Sequence, residues 1–441
     1  MPDGYNRPAH TTRPQRPPQV DQMDELTAKN NRPLRILLAS YRSHPRAGGQ
    51  GIYVHYLSQA LANLGHQVDV ISGPPYPDLA PHIGLIKLPS LDLHAVPNAL
   101  KAFRWRFLTS FSDFYEWAAH NTGKFSEPYT FGRRLKNHIK TARPYDIIHD
   151  NQSLSWGVLA LHRSGLPLVC TIHHPITRDL KIALEAEKSL FMRFFLRRWH
   201  SFLTMQKKVA AHLPHLITVS QNTRRDVSQD FFIDESQMDV IHNGVDTDVF
   251  RPHSDLPIAD DTLLTTASAD VPLKGLIYLL KAFALLASSR PTLKLVVIGQ
   301  LRKGPTKKLL DDLGISDRVT FRSNLDTDEL ALAYAQASIV VCPSLYEGFG
   351  FPAAEAMACG TPVVSTTGGA LPEVVGDAGL LVPPKDSCAL AHAIATLLDS
   401  PSLRKSLGQK GRKRMLEKFS WRDAALSYET IYRSAIAHAH H

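Results

Sequence analysis

The sequence has neither a long apolar run nor an apolar signal segment. None of its hydrophobic stretches approaches the roughly 18 residues that a membrane-spanning helix requires. The N-terminus carries basic residues without the apolar core of a signal peptide, and residues 1–32 are rich in Pro, Gln and Arg. We therefore expect a disordered tail over residues 1–32 and a cytoplasmic protein.

Cysteine is scarce, and its spacing does not indicate a metal site. The four cysteines lack the paired spacing of metal ligands, and three of them lie in apolar strand or helix patterns. We predict that they are reduced side chains that contribute to packing. They are Cys170, Cys342, Cys359 and Cys388.

Acidic residues are depleted in one part of the chain. The formal net charge is +9, and residues 101–210 contain 18 Lys and Arg against 8 Asp and Glu. This segment therefore accounts for the whole positive excess. Such an imbalance predicts an anionic surface or an anionic substrate as its partner.

The length of 441 residues predicts two or three domains. Short apolar runs alternate with amphipathic segments in two series, which is the pattern of parallel sheets covered by helices. The first series predicts strands at residues 35–40, 67–73, 146–150, 168–173 and 216–220. The second predicts strands at residues 263–267, 294–299, 319–323, 339–344, 362–366 and 379–383.

These two series predict an α/β protein with two Rossmann-like domains that face one another across a central cleft. A cleft of this kind is a usual ligand site. The turn-rich stretch at residues 242–246, after a short predicted strand at residues 240–241, marks the join. We place residues 33–242 in the N-terminal domain and residues 243–420 in the C-terminal domain.

The stretch of residues 342–369 contains only two charged side chains, Glu347 and Glu355. The apolar residues before it predict a buried strand, and Pro352 predicts the start of a helix over residues 353–359, with Glu355 in the first turn. Both carboxylates would lie near the carboxyl end of a parallel strand, where open α/β sheets bind ligands. An alternative is that Glu355 only complements the helix dipole and Glu347 is a solvated loop acid, and these residues alone fit it as well as they fit ligand binding.

Other loops carry residues suited to the same cleft. Two glycine-containing stretches precede predicted helices, so their N–H groups are placed to bind phosphate or hydroxyl groups. The first lacks the spacing of a dinucleotide fingerprint and is a weak signal by itself. A strand-end histidine is more often structural than catalytic, whereas a lysine at a helix start suggests a nearby anion. The residues are Gly48, Gly49, Gly348, Phe349, Gly350, His173 and Lys274.

Together these residues resemble the retaining, nucleotide-sugar-dependent glycosyltransferases of family 4, which have the GT-B fold. The resemblance extends from Arg35 through nearly the whole chain, and its most specific part is the E-x7-E spacing of Glu347 and Glu355. The GG loop, the strand-end histidine, the HNGVD turn, the lysine and the closing stretch FSWRDAALSYETIY follow in the family's order. The resemblance implies an N-terminal acceptor domain, completed by a final helix over residues 421–441, and a C-terminal donor domain.

The family also implies a role for each candidate residue. Glu355 is expected to hold the ribose hydroxyls, and Glu347 with the N–H groups of residues 348–350 is expected to hold the donor sugar and phosphate. Lys274 would neutralise the departing diphosphate, and His173 would lie beside the anomeric carbon or the acceptor hydroxyl. In front-face retention the leaving phosphate accepts the acceptor's proton, so no protein carboxylate is required as the base.

One position departs from the family pattern. The family places an arginine five or six residues before the lysine, where this sequence has Ala269 or Ser268. If no other cation takes its place, the enzyme is expected to be slow or the protein inactive. The candidates for the second cation are Arg302 and Lys303, in the loop GQLRKG, with Arg42 and Arg46 as alternatives.

We therefore expect a hexosyltransferase that moves a hexose from a nucleotide diphosphate sugar to a hydroxyl acceptor in glycan or glycolipid biosynthesis. The donor is expected to be a UDP or GDP sugar. No Asp-x-Asp motif is placed to bind a phosphate-bridging cation, so we predict no metal, no cofactor beyond the co-substrate, and no nucleic acid partner. Two alternatives stay open: a nucleotide-sugar 2-epimerase of the same fold, and a non-catalytic scaffold of a polysaccharide assembly system.

Residues 188–208 combine aromatic and basic side chains and contain no acid. On one helix, Phe195, Trp199, Phe202 and Leu203 would share a face, which is the pattern of an interfacial membrane helix. The alternative is that these aromatic residues pack in the domain core. Because many relatives glycosylate lipid-linked acceptors at the inner membrane face, we expect a lipid-linked acceptor and peripheral binding to an anionic membrane.

Overall fold

The structure is a computed structural model that describes residues 32–45, 48–93, 95–96, 98–253, 259–267 and 269–439. Residues 1–31 of the predicted tail lie outside this part, as do Arg46 and Ser268. Arg32, the last residue of the predicted tail, forms an ion pair of 2.7 Å with Asp146 and belongs to the folded chain.

The N-terminal domain contains a parallel sheet of seven strands. They are β1 (Arg35–Ser40), β2 (Gln67–Ser72), β3 (Gly84–Lys87), β4 (Ile147–Asn151), β5 (Leu168–Ile172), β6 (Leu216–Thr218) and β7 (Met238–Val240). Their order is β3-β2-β1-β4-β5-β6-β7. The five strands of the first predicted series are present, and the short strand predicted at residues 240–241 overlaps β7. β3 was missed because it is a short edge strand whose residues are only partly buried.

The C-terminal domain contains a second parallel sheet, of six strands. They are β8 (Ala259–Thr266), β9 (Lys294–Ile298), β10 (Val319–Arg322), β11 (Ala337–Cys342), β12 (Val363–Thr366) and β13 (Leu380–Val382). Their order is β10-β9-β8-β11-β12-β13. All six were predicted, and β11 and β12 are short runs buried at every position.

Helices cover both faces of each sheet. Those of the first half are α1 (Gly49–Asn63), α2 (Phe111–Asn121), α3 (Glu127–Ile139), α4 (Trp156–Arg163), α5 (Ile176–Ala186), α6 (Leu190–Trp199), α7 (Leu203–Ala210) and α8 (Gln221–Phe231). Those of the second half are α9 (Leu276–Ala287), α10 (Pro305–Asp312), α11 (Thr327–Gln336), α12 (Phe351–Ala358), α13 (Leu371–Val375), α14 (Ser387–Asp399), α15 (Pro401–Lys418) and α16 (Trp421–Ala439). Each sheet therefore has an apolar core on either side.

The final helix, α16, packs back on the N-terminal domain, as the resemblance implied. Its tyrosines are buried there, and Oη of Tyr53 donates a hydrogen bond to Oη of Tyr428 at 2.7 Å. Oη of Tyr432 lies 2.6 Å from Nδ1 of His149. Burial lowers the pKa of His149 to about 3, so this contact is between neutral groups.

Residues 188–208 do not form the single helix that the sequence predicted. A 3-10 turn at His200–Phe202 separates α6 from α7, and Phe202 and Leu203 lie in the core. Trp199 stacks on Phe125 with ring centroids 5.4 Å apart. The ring of Phe195 lies beside Gly123, so all four residues predicted to face a membrane contact the domain.

The strand order determines where ligands can approach each sheet. It reverses between β1 and β4 in the first sheet and between β8 and β11 in the second. At such a reversal the following loops diverge and leave a crevice beyond the carboxyl ends of the strands. The loops after β1, β5, β8 and β11 carry Gly48, His173, Lys274 and Glu347 respectively.

Candidate active site

The loop from β11 to α12 contains the first carboxylate of the E-x7-E motif. It ends at Gly350, whose φ of 101° is a left-handed conformation that favours glycine. α12 begins at Phe351, two residues earlier than predicted, so Glu355 lies in its second turn and not in its first. No side chain caps the start of α12. Pro352 has no N–H group, and those of Ala353 and Ala354 bond the carbonyl of Gly350, so the N–H group of Phe351 is the one that the first turn leaves for a ligand.

Glu347 and Lys274 are in direct contact. Oε1 of Glu347 accepts hydrogen bonds from Nζ of Lys274 and from Oγ of Ser344, each at 2.7 Å. Burial alone would lower the pKa of Lys274, but the charge of Glu347 and its hydrogen bond raise it, so the lysine is a cation. The structure thus joins two of the predicted site residues.

Glu355 is buried beneath this loop. Its side chain accepts a hydrogen bond at Oε2 from Oη of Tyr334 at 3.2 Å, and the residue is 5% exposed. Burial raises the pKa of Glu355 to about 7, although the hydrogen bond from Tyr334 acts in the opposite direction. The charge of this carboxyl group therefore changes near neutral pH.

The glycine loop of the N-terminal domain meets the start of α12. α1 begins at Gly49, after Gly48 with a φ of 86° and no side-chain cap. A Cβ atom added to Gly49 would lie 3.4 Å from the ring of Phe351. Two uncapped helix N-termini therefore lie side by side, an arrangement suited to a diphosphate.

His173 lies between the two sheets and is held on both sides. The main-chain N–H of His173 donates to Oε1 of Gln152 at 2.7 Å, and the ring atom Nε2 lies 2.5 Å from Oδ1 of Asn151. Burial, with a smaller contribution from neighbouring histidines, lowers the pKa of His173 to about 3. The ring is therefore neutral and acts through hydrogen bonds or its dipole.

Gly348 brings the two domains into contact at His173. A Cβ atom at Gly348 would lie 2.2 Å from the carbonyl oxygen of His173, so the position has no room for a side chain. The hydroxyl group of Thr223 lies 3.3 Å from the carbonyl oxygens of both residues. The main chain of the E-x7-E loop is thus fixed against the strand-end histidine.

Ring packing and a main-chain hydrogen bond fix the rest of the E-x7-E loop. The side chain of Phe349 is buried against Phe351 and Phe419, so only its main chain can face a donor. The N–H group of Ala370 donates to the carbonyl of Glu347 at 2.8 Å, and Gly369 leaves room for that carbonyl. Gly369 was not predicted as a site residue, although the TTGG run at residues 366–369 is a sequence signal for a tight turn.

The second phosphate-binding cation is not identified by a contact. Arg302 and Lys303 are exposed in the loop after β9, and neither side chain forms a hydrogen bond or an ion pair with another described residue. Arg42 already has a partner, since its Nη1 lies 3.3 Å from Oε2 of Glu127. Roles in donor binding for Arg302 and Lys303 stay predictions.

Polar residues of the N-terminal domain that were not predicted as site residues reach the E-x7-E loop. Oη of Tyr346 donates to Oδ2 of Asp226 at 2.8 Å, and Nε2 of His174 lies 3.0 Å from Oδ2 of Asp179. No local motif marks the first pair, because its members are far apart in sequence and meet only where the two domains touch.

The described part of the chain contains no group of three or more His, Cys, Asp and Glu arranged to hold a metal ion. Its helices include none that is both long and apolar enough to cross a membrane. Cys170, Cys342 and Cys359 are buried free thiols, as predicted. The prediction that all four cysteines contribute to packing is wrong for Cys388, which is exposed near the start of α14.

Comparison with known proteins identifies the family. Residues 47–249 match the family model "Glycosyltransferase Family 4", and residues 252–414 match "Glycosyl transferases group 1". The chain is 44% identical to the MMP alpha-(1->4)-mannosyltransferase of Mycolicibacterium hassiacum, over 92% of this chain and 99% of that protein. The chain therefore belongs to the family 4 glycosyltransferases, and it is an enzyme of the glycosyltransferase class.

Solved structures confirm the GT-B fold. The sucrose-phosphate synthase of Thermosynechococcus elongatus matches with a TM-score of 0.72 and 27% identity, over 92% of this chain and 100% of that one. Alr3699/HepE of Anabaena, solved in complex with UDP-glucose, matches with a TM-score of 0.67 and 17% identity, over 91% of this chain and 100% of that one. The predicted pair of Rossmann-like domains is thus confirmed.

Proposed function

We propose that this glycosyltransferase moves a hexose from a nucleoside diphosphate sugar to a hydroxyl acceptor with retention of anomeric configuration. The observation that carries the proposal is the contact between Lys274 and Glu347 at the strand-order reversal of the second sheet. It places a cation and a hydroxyl-binding carboxylate beside two uncapped helix N-termini. Such a set of groups fits a diphosphate joined to a sugar.

The proposed reaction takes place on one face of the sugar. The bond from the anomeric carbon to the diphosphate oxygen breaks, and the acceptor oxygen bonds to that carbon from the same side. The acceptor's proton passes to the departing phosphate oxygen. Lys274 and the helix N-termini stabilise the charge that develops on this phosphate, which is where a fixed positive charge has most effect on the rate.

His173 contributes a neutral group to this step. Because burial keeps the pKa of its ring at about 3, the imidazole does not supply a positive charge near neutral pH. Its carbonyl oxygen, which faces the main chain of Gly348, is suited to stabilise positive charge that develops on the sugar ring. We therefore assign His173 a dipolar role at the anomeric carbon.

The donor sugar is proposed to be mannose. The supporting observation is the 44% identity to a protein named as an alpha-(1->4)-mannosyltransferase, since that relative is matched over 99% of its length. We propose an α-(1→4) linkage in the product on the same basis. We also propose that the reaction needs no metal, because Lys274 and the helix dipoles supply positive charge at the diphosphate. Full activity in excess EDTA is the expected result.

A ligand screen followed by turnover assays tests the proposal. Thermal shifts are measured with UDP, GDP and ADP sugars, because a ligand at 100 times its Kd stabilises a protein by about 2.7 kcal/mol. The donor that binds is then incubated with and without mannoside acceptors. Transfer that depends on the acceptor supports the proposal, whereas turnover without acceptor indicates the epimerase. Failure to bind any nucleotide sugar indicates the scaffold.

We also propose peripheral membrane binding through a different face from the one the sequence predicted. Leu190, Phe191, Met192 and Phe194 at the start of α6 are 83%, 70%, 45% and 57% exposed. A neighbouring groove of about 420 Å³ is lined by residues that include three cations, Arg197, Lys207 and Lys208. Exposed apolar side chains beside cations suit an anionic membrane surface, where a lipid-linked acceptor would be presented.

Vesicle flotation at low salt tests membrane binding. We expect the protein to float with vesicles that contain anionic lipid, to float poorly with neutral vesicles, and to be released by salt. The variant with Leu190→Ser and Phe191→Ser should lose this binding, whereas Leu416→Ser removes an exposed leucine of the C-terminal domain and serves as the control. Equal flotation of both variants would contradict the proposal and favour a soluble acceptor.

A further inference from the structure

A histidine–aspartate pair of the N-terminal domain lies against the E-x7-E loop. His174 directly follows the strand-end histidine, and its Nε2 lies 3.0 Å from Oδ2 of Asp179 in the first turn of α5. A Cβ atom on Gly348 would lie 3.0 Å from Cβ of His174. The pair therefore adjoins the main chain that we assign to the donor sugar.

Each member of the pair has a polar atom without a bond to the rest of the described chain. Oδ1 of Asp179 is buried and has no hydrogen-bond partner there. Nε2 of His174 is occupied by Asp179, and no hydrogen bond to a described residue uses its Nδ1. A buried carboxylate oxygen left unpaired is costly, so a bound hydroxyl group would stabilise it.

The charges around the pair indicate which ligand it suits. Burial lowers the pKa of His174, but the charge and hydrogen bond of Asp179 raise it above its usual value, and Glu347 adds to this effect. Two carboxylates, Asp179 and Glu347, thus stand near Lys274. Lys274 and His174 offset the charge of the two carboxylates. The carboxylates remain good acceptors for sugar hydroxyl groups, which donate well to them.

We propose that His174 and Asp179 form a second wall of the donor-sugar subsite, opposite Glu347, and hold hydroxyl groups of the transferred hexose. Oδ1 of Asp179 accepts a hydrogen bond from one hydroxyl, and Nδ1 of His174 bonds a neighbouring one. The donor sugar is then held by residues of both domains, so that hydroxyl recognition and domain contact depend on each other. This inference rests on the proposed function.

Calorimetric titration with two ligands tests the subsite. The wild-type protein, Asp179→Asn and His174→Phe are titrated with the nucleoside diphosphate and with the full nucleotide sugar. We expect both variants to bind the diphosphate within about two-fold of wild type and the nucleotide sugar about ten-fold more weakly, because a hydrogen bond to a charged group contributes on this scale. Unchanged diphosphate binding also shows that the variants are folded.

Glu185→Gln is the matched control, because it makes the same acid-to-amide change on α5 at a residue that pairs with Lys385 at 3.0 Å. It should bind both ligands as the wild type does. Equal sugar-nucleotide binding by all variants would overturn the subsite, and so would equal losses for both ligands. A wild-type protein that binds neither ligand would instead overturn the proposed function and the subsite with it.

Deoxy donors provide the second measurement. In the wild type, a nucleotide sugar that lacks the hydroxyl bound by Asp179 should bind about ten-fold more weakly than the parent sugar. In Asp179→Asn the same deletion should have little further effect, since the two changes remove one interaction. Additive losses for every deoxy position would show that Asp179 acts only on the structure of α5, and would contradict the proposal.

Discussion

Nζ of Lys274 lies 2.7 Å from Oε1 of Glu347, so the cation that we assign to the diphosphate and the carboxylate that we assign to the donor sugar form one ion pair. The two side chains are 29% and 15% exposed, which shields the pair from solvent only in part. A bound diphosphate must compete with Glu347 for Lys274. Donor binding is therefore expected to rearrange this pair.

Removal of the Glu347 carboxylate is expected to affect diphosphate binding and turnover differently. In Glu347→Ala we expect the nucleoside diphosphate to bind at least as tightly as in the wild type, because Lys274 loses its competing anion. Turnover should fall by the equivalent of about 1.5 to 3 kcal/mol, the usual contribution of a hydrogen bond to a charged group. Titration with the diphosphate and steady-state rates measure the two effects. Weaker diphosphate binding at an unchanged rate would reverse the assignment.

Removal of the cation should affect the rate more than donor affinity. We expect Lys274→Ala to lower kcat far more than it raises KM for the donor, because the charge on the diphosphate increases as the bond breaks. Lys281→Ala removes an exposed cation of the same domain and should leave both constants unchanged. A selective rise in KM would show that Lys274 only binds the ground state.

Substitutions in the loop after β9 test whether Arg302 or Lys303 is the second phosphate-binding cation. If Arg302 or Lys303 reaches the diphosphate of a bound donor, Arg302→Ala or Lys303→Ala should lower kcat as Lys274→Ala does. Steady-state kinetics of the single variants give the answer. Wild-type rates in both would show that neither Arg302 nor Lys303 is the second cation.

Glu355 is expected to contribute to nucleotide binding. We predict that Glu355→Ala weakens binding of the nucleoside diphosphate by about 1.5 to 3 kcal/mol, because the ribose hydroxyls lose a charged acceptor. Since burial raises the pKa of Glu355 to about 7, wild-type affinity should increase between pH 6 and about pH 8 as the carboxylate forms. Calorimetry over this range measures both effects. Equal affinities of the variant and the wild type would contradict the ribose assignment.

The same raised pKa predicts how stability depends on pH. The pKa of Glu355 rises from 4.5 to about 7 on folding, so the folded state binds the proton more tightly and stability is lost as pH rises through this interval. The loss corresponds to about 3 kcal/mol, at 1.36 kcal/mol for each pKa unit. In Glu355→Gln this part of the loss should disappear. Urea unfolding midpoints of the wild type and of Glu355→Gln at pH 5 and pH 8 test this prediction. If the midpoints of the two proteins differed by the same amount at both pH values, the prediction would be contradicted.

The strands of this fold were predictable because the signal is local. β5 and β11 are buried at every position and consist mostly of apolar residues, so each is a short apolar run in the sequence. β4 is equally buried, but only its two isoleucines are apolar. β3 gave no such signal because it lies at the sheet edge, half-exposed. Lys274 follows β8 and Glu347 follows β11, and these two strands are neighbours at the reversal of the second sheet. The order of the strands therefore brings both residues into one region.

Contacts between distant segments could not be predicted in the same way. The periodicity of residues 188–208 suggested a surface helix, but packing of Trp199 on Phe125 turns that face inward. The burial of Glu355 depends on Tyr334, which lies on another helix, so its pKa shift was not visible in the motif. The approach of Gly348 to His173 likewise requires two assembled domains.

The central claim, retaining hexosyl transfer that depends on Lys274, is tested most directly by proton NMR of one reaction mixture. The protein is incubated with a nucleoside diphosphate mannose and a mannoside acceptor, and the anomeric signals of donor and product are compared over time. We predict a product with the donor's anomeric configuration, one nucleoside diphosphate released for each bond formed, and a greatly reduced rate in Lys274→Ala. A product of inverted configuration, or an equal rate in the variant, would contradict the account.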